Sequence, residues 1–460
     1  MSQSELRIRL AELLSVIGCV LFVAVFGGKY LILASFDPKY RSTKNTVTYT
    51  AIRDRVVEGN ILDKDGAYIM GGSYAGMPSY AEYPLNYSYA WLLGYYRVDS
   101  YQETQAGLRG NLKQYLMFHL DSNDRGASIK LTTDNMLQNA AYSLLNGREG
   151  SITVIDNKTG AVRCFTSQST VAFDVNDPIT FLNSEVEGAQ FRRGTFENDP
   201  PGSTFKLITA AAALMKAEDE GLDESYFRYN DTGTYKTPDS DFVITNYGDL
   251  SYGEIDLEQA LNHSVNCYFA DLGVRIGARA ISKRAEAFMI GKDIEIPYLC
   301  TLHSSININD RDKTILAQTA FGQGDTEITP FHLAMIAQAI ANDGKMMQPY
   351  AVESVSDGTL EIPLHLSRKL STCMSRTSAE KLKEMMHSTA ILYGLDEASY
   401  GYVCAKTGTA ECVNDRLHTY LIGFTKDASF CISINNGDRS ANLYPIAQQL
   451  VSTINYCYSR

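Results

Sequence analysis

The spacing of hydrophobic and polar positions changes several times along the chain, and each change predicts an element. Residues 13–26 carry no charge, and apolar character resumes beyond Lys29 at Leu31, Ile32 and Leu33. With Lys29 snorkelling, that run is about long enough to span a bilayer as a helix. No small-x-small cleavage pattern follows it, which favours an uncleaved anchor over a signal peptide or a buried core helix. Residues 48–145 alternate short β-like runs rich in Tyr and Gly with turns at 63–66 and 71–72, predicting a small, irregular α+β unit. Residues 151–155 and 161–165 flank Asp156-Asn-Lys-Thr-Gly160 and read as a β-hairpin. Helical periodicity dominates from 203 to about 387. Strands are expected at 402–409, 419–424 and 429–434, and an amphipathic helix at 443–457. Two strands, a helical stretch, three strands and a helix predict an α+β fold whose antiparallel sheet is assembled from both ends of one domain.

The chain has 460 residues, too many for one ordinary domain. The expected division is a short tail and transmembrane anchor at 1–35, a small N-terminal domain at 36–146, and a larger domain at 147–460. A formal net charge of −12 argues against a nucleic-acid partner, since phosphate binding needs basic surface. Arg7 and Arg9 precede the apolar run while Lys29, Lys39, Arg41 and Lys44 follow it, so charge asymmetry leaves its orientation open. None of the nine cysteines pairs as C-x-x-C or joins a Cys/His cluster of zinc-ligand spacing. Disulfides and free thiols both remain open, and the absence of local pairing favours thiols.

Pro200-Pro-Gly-Ser-Thr-Phe-Lys206 opens a helix that continues through Ala210–Ala213 to Met215. The prolines and Gly202 set a sharp entry, so Ser203 falls in a first turn whose backbone N–H groups have no helical partner. Lys206, three residues on, shares its face. It is the one charged residue between Pro201 and Met215, in a stretch apolar nearly all round. Burial of such a helix disfavours the lysine's charged form, giving a serine nucleophile the neutral amine it needs as proton acceptor. Ser378-Ala-Glu-Lys381 repeats the spacing in a polar setting, where Thr377 and Glu380 suggest an ordinary capping box. Asn262-His-Ser-Val-Asn266 breaks a helical pattern running from 257 to 274 and would present Ser264 and Asn266 to a cleft. His263 reads as structural, because a neutral lysine makes a histidine base redundant. Lys406-Thr-Gly-Thr-Ala410 is placed on a sheet edge, where Gly408 permits close substrate approach and Thr407 and Thr409 offer hydroxyls to a carboxylate. The charge of Lys406 would also help hold Lys206 neutral. A second Lys-Thr-Gly, at 158–160, falls in the hairpin turn.

The ordered set Ser203-x-x-Lys206, Ser264-x-Asn266 and Lys406-Thr-Gly408, separated by 61 and 142 residues, resembles the penicillin-recognising serine transpeptidases. Phe321-Gly-Gln-Gly324, Thr329-Pro330, Ala339-Ile-Ala-Asn342 with Gly344 and Pro349, and Thr409-Ala-Glu411 with His418 and Gly423-Phe424 extend the likeness from about 150 to the C-terminus. Arg53, Tyr83-Pro84, Gly94 and Gly107-Leu108 carry a looser similarity to the pedestal of the small class B penicillin-binding proteins of the A type. Where the family has an aromatic pair after His418, this chain has Tyr420 and Leu421. The resemblance implies a penicillin-binding/serine β-lactamase-like fold with a five-stranded sheet. It also implies a monofunctional, single-pass membrane D,D-transpeptidase whose catalytic part is extracytoplasmic. Ser203 would be the nucleophile and Lys206 its base. Ser264 and Lys406 would relay the proton, and Asn266, Thr407, Gly408 and Thr409 would bind substrate. The implied substrates are peptidoglycan stem peptides ending in D-Ala-D-Ala, with β-lactams as inhibitors and no metal or other cofactor. A membrane-embedded SEDS-family (shape, elongation, division and sporulation) glycan polymerase is the implied partner. A D,D-carboxypeptidase or β-lactamase on the same fold, and a β-lactam receptor or scaffold, remain as alternatives.

Overall fold

The computed structural model describes residues 59–71, 86–94, 107–112, 115–116, 126–169, 193–238, 240–412, 416–437 and 439–460. At its centre is an antiparallel sheet of five strands: β1 (Gly150–Asp156), β2 (Val162–Gln168), β3 (Cys404–Cys412), β4 (Arg416–Phe424) and β5 (Ala428–Ile434). They lie in the order β3-β4-β5-β1-β2, so the two ends of the domain meet where β5 pairs with β1, as the sequence pattern predicts. All seven residues of β5 are buried, which is why its sequence is apolar or small throughout rather than alternating. Ala405, Leu421, Phe430, Ile432, Ile152 and Val154 face one layer, formed by α1 (Asn135–Leu145) and α7 (Tyr444–Ser459). Ala410, Tyr420, Ile422, Cys431 and Phe165 face the other, formed chiefly by α5 (Pro330–Ala341), with the turn that opens α2 (Lys206–Glu220) against β3.

The hairpin between β1 and β2 is closed by Asp156, whose Oδ1 accepts the N–H groups of Lys158 and Thr159 at 3.1 and 2.9 Å. The early Lys-Thr-Gly is therefore turn chemistry. The region expected to be mainly helical also holds three-residue strands, Tyr229–Asp231 pairing with Gly253–Ile255 and Thr234–Lys236 with Val243–Thr245. Strands this short are masked by the periodicity of their neighbours. The α6 helix (Arg376–Leu392) is capped by Ser375, whose Oγ accepts the Ser378 N–H at 3.0 Å. The capping box expected from Thr377 and Glu380 is thus corrected, since the helix starts one residue before Thr377. Ser378 itself is buried and donates to Glu218 at 2.9 Å.

A second sheet joins Glu361–Pro363, Val352–Ser356, Ser128–Leu131, Ile61–Leu62 and Tyr68–Met70 in that order. It draws strands from both sides of position 146, and α1, which precedes that position, packs Leu137, Ala141 and Leu145 into the core of the central sheet. The N-terminal unit is therefore tied to the larger domain by shared strands and shared core. Among the described residues no helix is long and apolar enough to cross a membrane, and the apolar run at 13–26 lies outside them, as do Arg53, Tyr83 and Pro84. Cys164, Cys267, Cys300, Cys373, Cys404, Cys431 and Cys457 are free, and all but Cys300 are buried.

Candidate active site

Ser203 lies in a 3₁₀ turn, Gly202–Phe205, that leads directly into α2. Gly202 has φ +54° and Gly322 φ +96°, and a Cβ on Gly322 would collide with the Gly202 carbonyl oxygen. On the other side, a Cβ on Gly408 would lie 2.8 Å from Pro201 O and 2.9 Å from Thr204 Cγ2. The serine turn is thus clasped between two backbone segments, possible only because three glycines lack side chains. The absent Gly408 side chain makes room for the serine turn, a packing role that local sequence does not announce. Gly322→Ala is expected to cost about 2–4 kcal/mol, combining left-handed strain with an overpacked backbone contact. Gly358, also left-handed at φ +86° but with open space around it, is the control. Gly358→Ala should cost only about 1–2 kcal/mol in thermal melts and leave acylation unchanged.

The break between α3 (Leu257–Asn262) and α4 (Asn266–Ile276) places Ser264 at φ +55°, a left-handed conformation unusual for a residue with a Cβ. Asp256 and Gln259 form a reciprocal capping box that fixes the start of α3. Asn266 Nδ2 donates to the Thr245 carbonyl at 3.1 Å, which turns its Oδ1 toward Lys206. His263 stacks on Tyr252, with centroids 5.0 Å apart, and takes no part in the lysine's hydrogen bonds.

Lys206 is fully buried, with Nζ 2.7 Å from both Ser264 O and Asn266 Oδ1, 2.9 Å from Ser203 Oγ and 3.1 Å from Ser264 Oγ. The carbonyl and the amide oxygen accept only, so each takes one hydrogen. A neutral amine has two hydrogens and one lone pair, which leaves the lone pair for one serine hydroxyl, Ser203 Oγ being the nearer. Burial, reinforced by the charge of Lys406, holds Lys206 well below the usual lysine range. Lys406 is also fully buried, reaches Ser264 Oγ at 3.0 Å and its neighbour's carbonyl at 3.1 Å, and burial pushes it down to about 7. Ser264 Oγ therefore bridges the two lysines.

Lys406 and Gly408 occupy edge strand β3, with Thr407 and Thr409 alternating between them. The Thr407 N–H donates to the Tyr393 hydroxyl, at 3.4 Å, and so points away from β4. The two-residue period of an antiparallel edge then directs the Thr409 N–H outward as well, next to the turn that carries Ser203. Thr409 is half-buried, whereas Thr407 is buried with its Oγ 2.9 Å from the Tyr393 hydroxyl. A further polar cluster braces the segment before the serine. His418 Nδ1 lies 2.9 Å from Asp199 Oδ2, while Glu197 is held by Arg193 and Asn435, both at 2.6 Å. Glu197, Asp199 and His418 gather their ligand-type atoms within 4.8 Å of one another, and Glu197 already spends both oxygens on protein partners. Sequence reading missed this brace, Tyr393 and Thr245, because each acts across a distance in the chain that no local spacing reveals.

The family model described as the penicillin binding protein transpeptidase domain matches residues 150–454. The chain belongs to that family. Among curated relatives it is 29% identical over 324 residues to the peptidoglycan D,D-transpeptidase PbpA of Mycobacterium tuberculosis, a match covering 66% of this chain and 64% of that protein. It is 27% identical to PbpA of Mycolicibacterium smegmatis over 353 residues, 70% of each chain. The match thus spans a little under two thirds of the M. tuberculosis relative's length. The structure of M. tuberculosis penicillin-binding protein A as a ceftriaxone acyl-enzyme complex superposes with a TM-score of 0.75 at 25% identity, covering 87% of this chain and 99% of that one. Family membership accounts for the ordered motifs, and the geometry shows them converging on Lys206.

Proposed function

We propose that this chain is a serine D,D-transpeptidase that cross-links peptidoglycan stem peptides and is acylated by β-lactams. The observation that carries this reading is the placement of Lys206 Nζ, whose two acceptors leave its lone pair directed at Ser203 Oγ, 2.9 Å away. Lys206 takes the Ser203 proton as Oγ attacks the carbonyl between the terminal D-alanines, forming an ester as the peptide bond breaks. The N–H groups of Ser203 and Thr409 receive the developing oxyanion. The proton passes through Ser264 to the departing D-alanine amine, and Lys406 steadies Ser264 and attracts the terminal carboxylate. Asn266 contacts the peptide backbone, and Thr407 and Thr409 the carboxylate. An amine of a neighbouring stem then attacks the ester and releases Ser203. The acylated relative in the M. tuberculosis complex supports the first half-reaction, and the curated names of the relatives support the second. On this reading residues 13–26 anchor the chain with its catalytic part outside the membrane, and a SEDS-type polymerase is the partner. Purification from membranes in mild detergent without such a polymerase would count against that partner.

The deciding assay supplies donor and acceptor stem peptides and separates cross-linked product from the hydrolysed donor. Cross-links establish the transpeptidase, and hydrolysis alone assigns a carboxypeptidase. A pH profile tests the division of labour between the lysines. Lys206 must be neutral, so acylation by benzylpenicillin is lost as pH falls through its depressed pKa. Lys406 must be charged, so acylation declines as pH rises through about 7. The expected profile is bell-shaped, and Lys406→Arg, which cannot lose its proton near neutrality, should remove the alkaline limb. A wild-type rate still climbing at high pH would contradict a charged role for Lys406.

A further inference from the structure

Tyr393 stands where α6 ends, its ring buried and stacked on Tyr444 with centroids 4.6 Å apart and planes 16° from parallel. Its hydroxyl lies 2.9 Å from Thr407 Oγ and accepts the outward N–H of Thr407 at 3.4 Å. A phenol that accepts from the N–H still has one hydrogen to give, and Thr407 Oγ is placed to take it. Thr407 then keeps its own hydroxyl hydrogen for a third group, polarised by the bond it accepts. The same contact closes the edge of β3 at Thr407, so that the next outward donor along the strand is the Thr409 N–H. Burial raises the phenol's pKa and keeps its proton in place.

We propose that Tyr393 is a positioning residue that acts through Thr407: it fixes the Thr407 hydroxyl as a hydrogen-bond donor to the ligand's carboxylate and closes the strand edge beside the Thr409 N–H. The proposal rests on the transpeptidase reading, in which Thr407 meets that carboxylate. It names a residue outside all three sequence motifs, 14 positions before Thr407.

The test compares acylation by benzylpenicillin with acylation by its methyl ester, which keeps the reactive ring and lacks the charge. Tyr393→Phe removes one oxygen and keeps the stack on Tyr444. It should slow acylation by benzylpenicillin roughly 10-fold, the scale of one lost hydrogen bond to a charged group, and leave the ester's rate unchanged. In a Thr407→Val background the same substitution should add nothing further. Equal slowing with both ligands, no slowing with either, or a further loss on top of Thr407→Val would overturn the proposal. Thermal melts of each variant separate these outcomes from general destabilisation. Absence of any acylation in the wild type would instead remove the transpeptidase reading itself, and with it the proposal.

Discussion

Ser203→Ala should abolish covalent labelling by a fluorescent penicillin, reducing the band to background, whereas Ser378→Ala should leave it intact. Both serines open an S-x-x-K sequence, and the structure separates them by what surrounds each. Ser203 is half-buried on a clasped turn with Lys206 Nζ at 2.9 Å. Ser378 is buried on α6 and donates to Glu218, a carboxylate that Ser375 also contacts, and among the described residues no lysine hydrogen-bonds to it. Removing the Ser378 hydroxyl leaves Glu218 partnered and should cost about 1 kcal/mol of stability, visible in a melt and not in labelling. Removing Ser203 Oγ deletes the atom that forms the ester, while the backbone N–H groups and the rest of the site stay in place. Ser203→Ala should therefore still bind penicillin reversibly, and equilibrium binding without a covalent band is the expected pairing. A persistent band in Ser203→Ala, surviving denaturation in the gel, would place the nucleophile elsewhere. Loss of the band in Ser378→Ala in a protein that melts normally would do the same.

How much of this was legible beforehand follows from the range of each interaction. The central sheet was legible because its strands are long, apolar and bounded by turn residues, and their split between the two ends of the domain implied the pairing of β5 with β1. Ser203 and Lys206 were legible because a one-turn spacing is local, and the apolar surroundings of the lysine pointed to its depressed pKa. That Ser264 and Asn266 meet at the Lys206 amine, and Lys406 at Ser264 Oγ, rested on resemblance, since no spacing of 61 or 142 residues encodes contact. The left-handed Ser264 was hidden because the sequence there carries no glycine to announce it. The three-residue strands between α2 and α3 were hidden by brevity. The cap of α6 falls at Ser375, two residues before the expected Thr377, and Ser375 there also contacts Glu218, a partner remote in sequence. The shared sheet that ties the N-terminal unit to Val352–Ser356 was illegible for the same reason as Tyr393: its partners are remote in sequence and individually ordinary.

Replacing Lys206 should slow acylation by about 10²–10⁴-fold, the range expected for loss of a positioned general base. The comparison of two replacements makes the prediction specific to proton transfer. Arginine keeps the positive charge and can donate to Ser264 O and Asn266 Oδ1, yet it has no lone pair and does not deprotonate in this range. Methionine keeps the approximate length and apolar stem and offers neither donor nor base. If Lys206 served mainly as a cation for the ligand's carboxylate, Lys206→Arg would retain substantial activity and Lys206→Met would not. If it is the base, both fail alike. The hydrogen bonds at Nζ favour the second outcome, because Ser264 O and Asn266 Oδ1 absorb the amine's hydrogens and its charge is disfavoured by burial and by Lys406. Residual acylation in Lys206→Met should also lose its acid limb, since the group that had to shed a proton is gone, while the alkaline limb of Lys406 persists. Folding is the natural confounder, as Met leaves two buried oxygens without their donor at a cost of about 1–3 kcal/mol each. Reversible penicillin binding, measured alongside the rate, resolves it: a variant that binds and does not acylate has lost the base and kept the site.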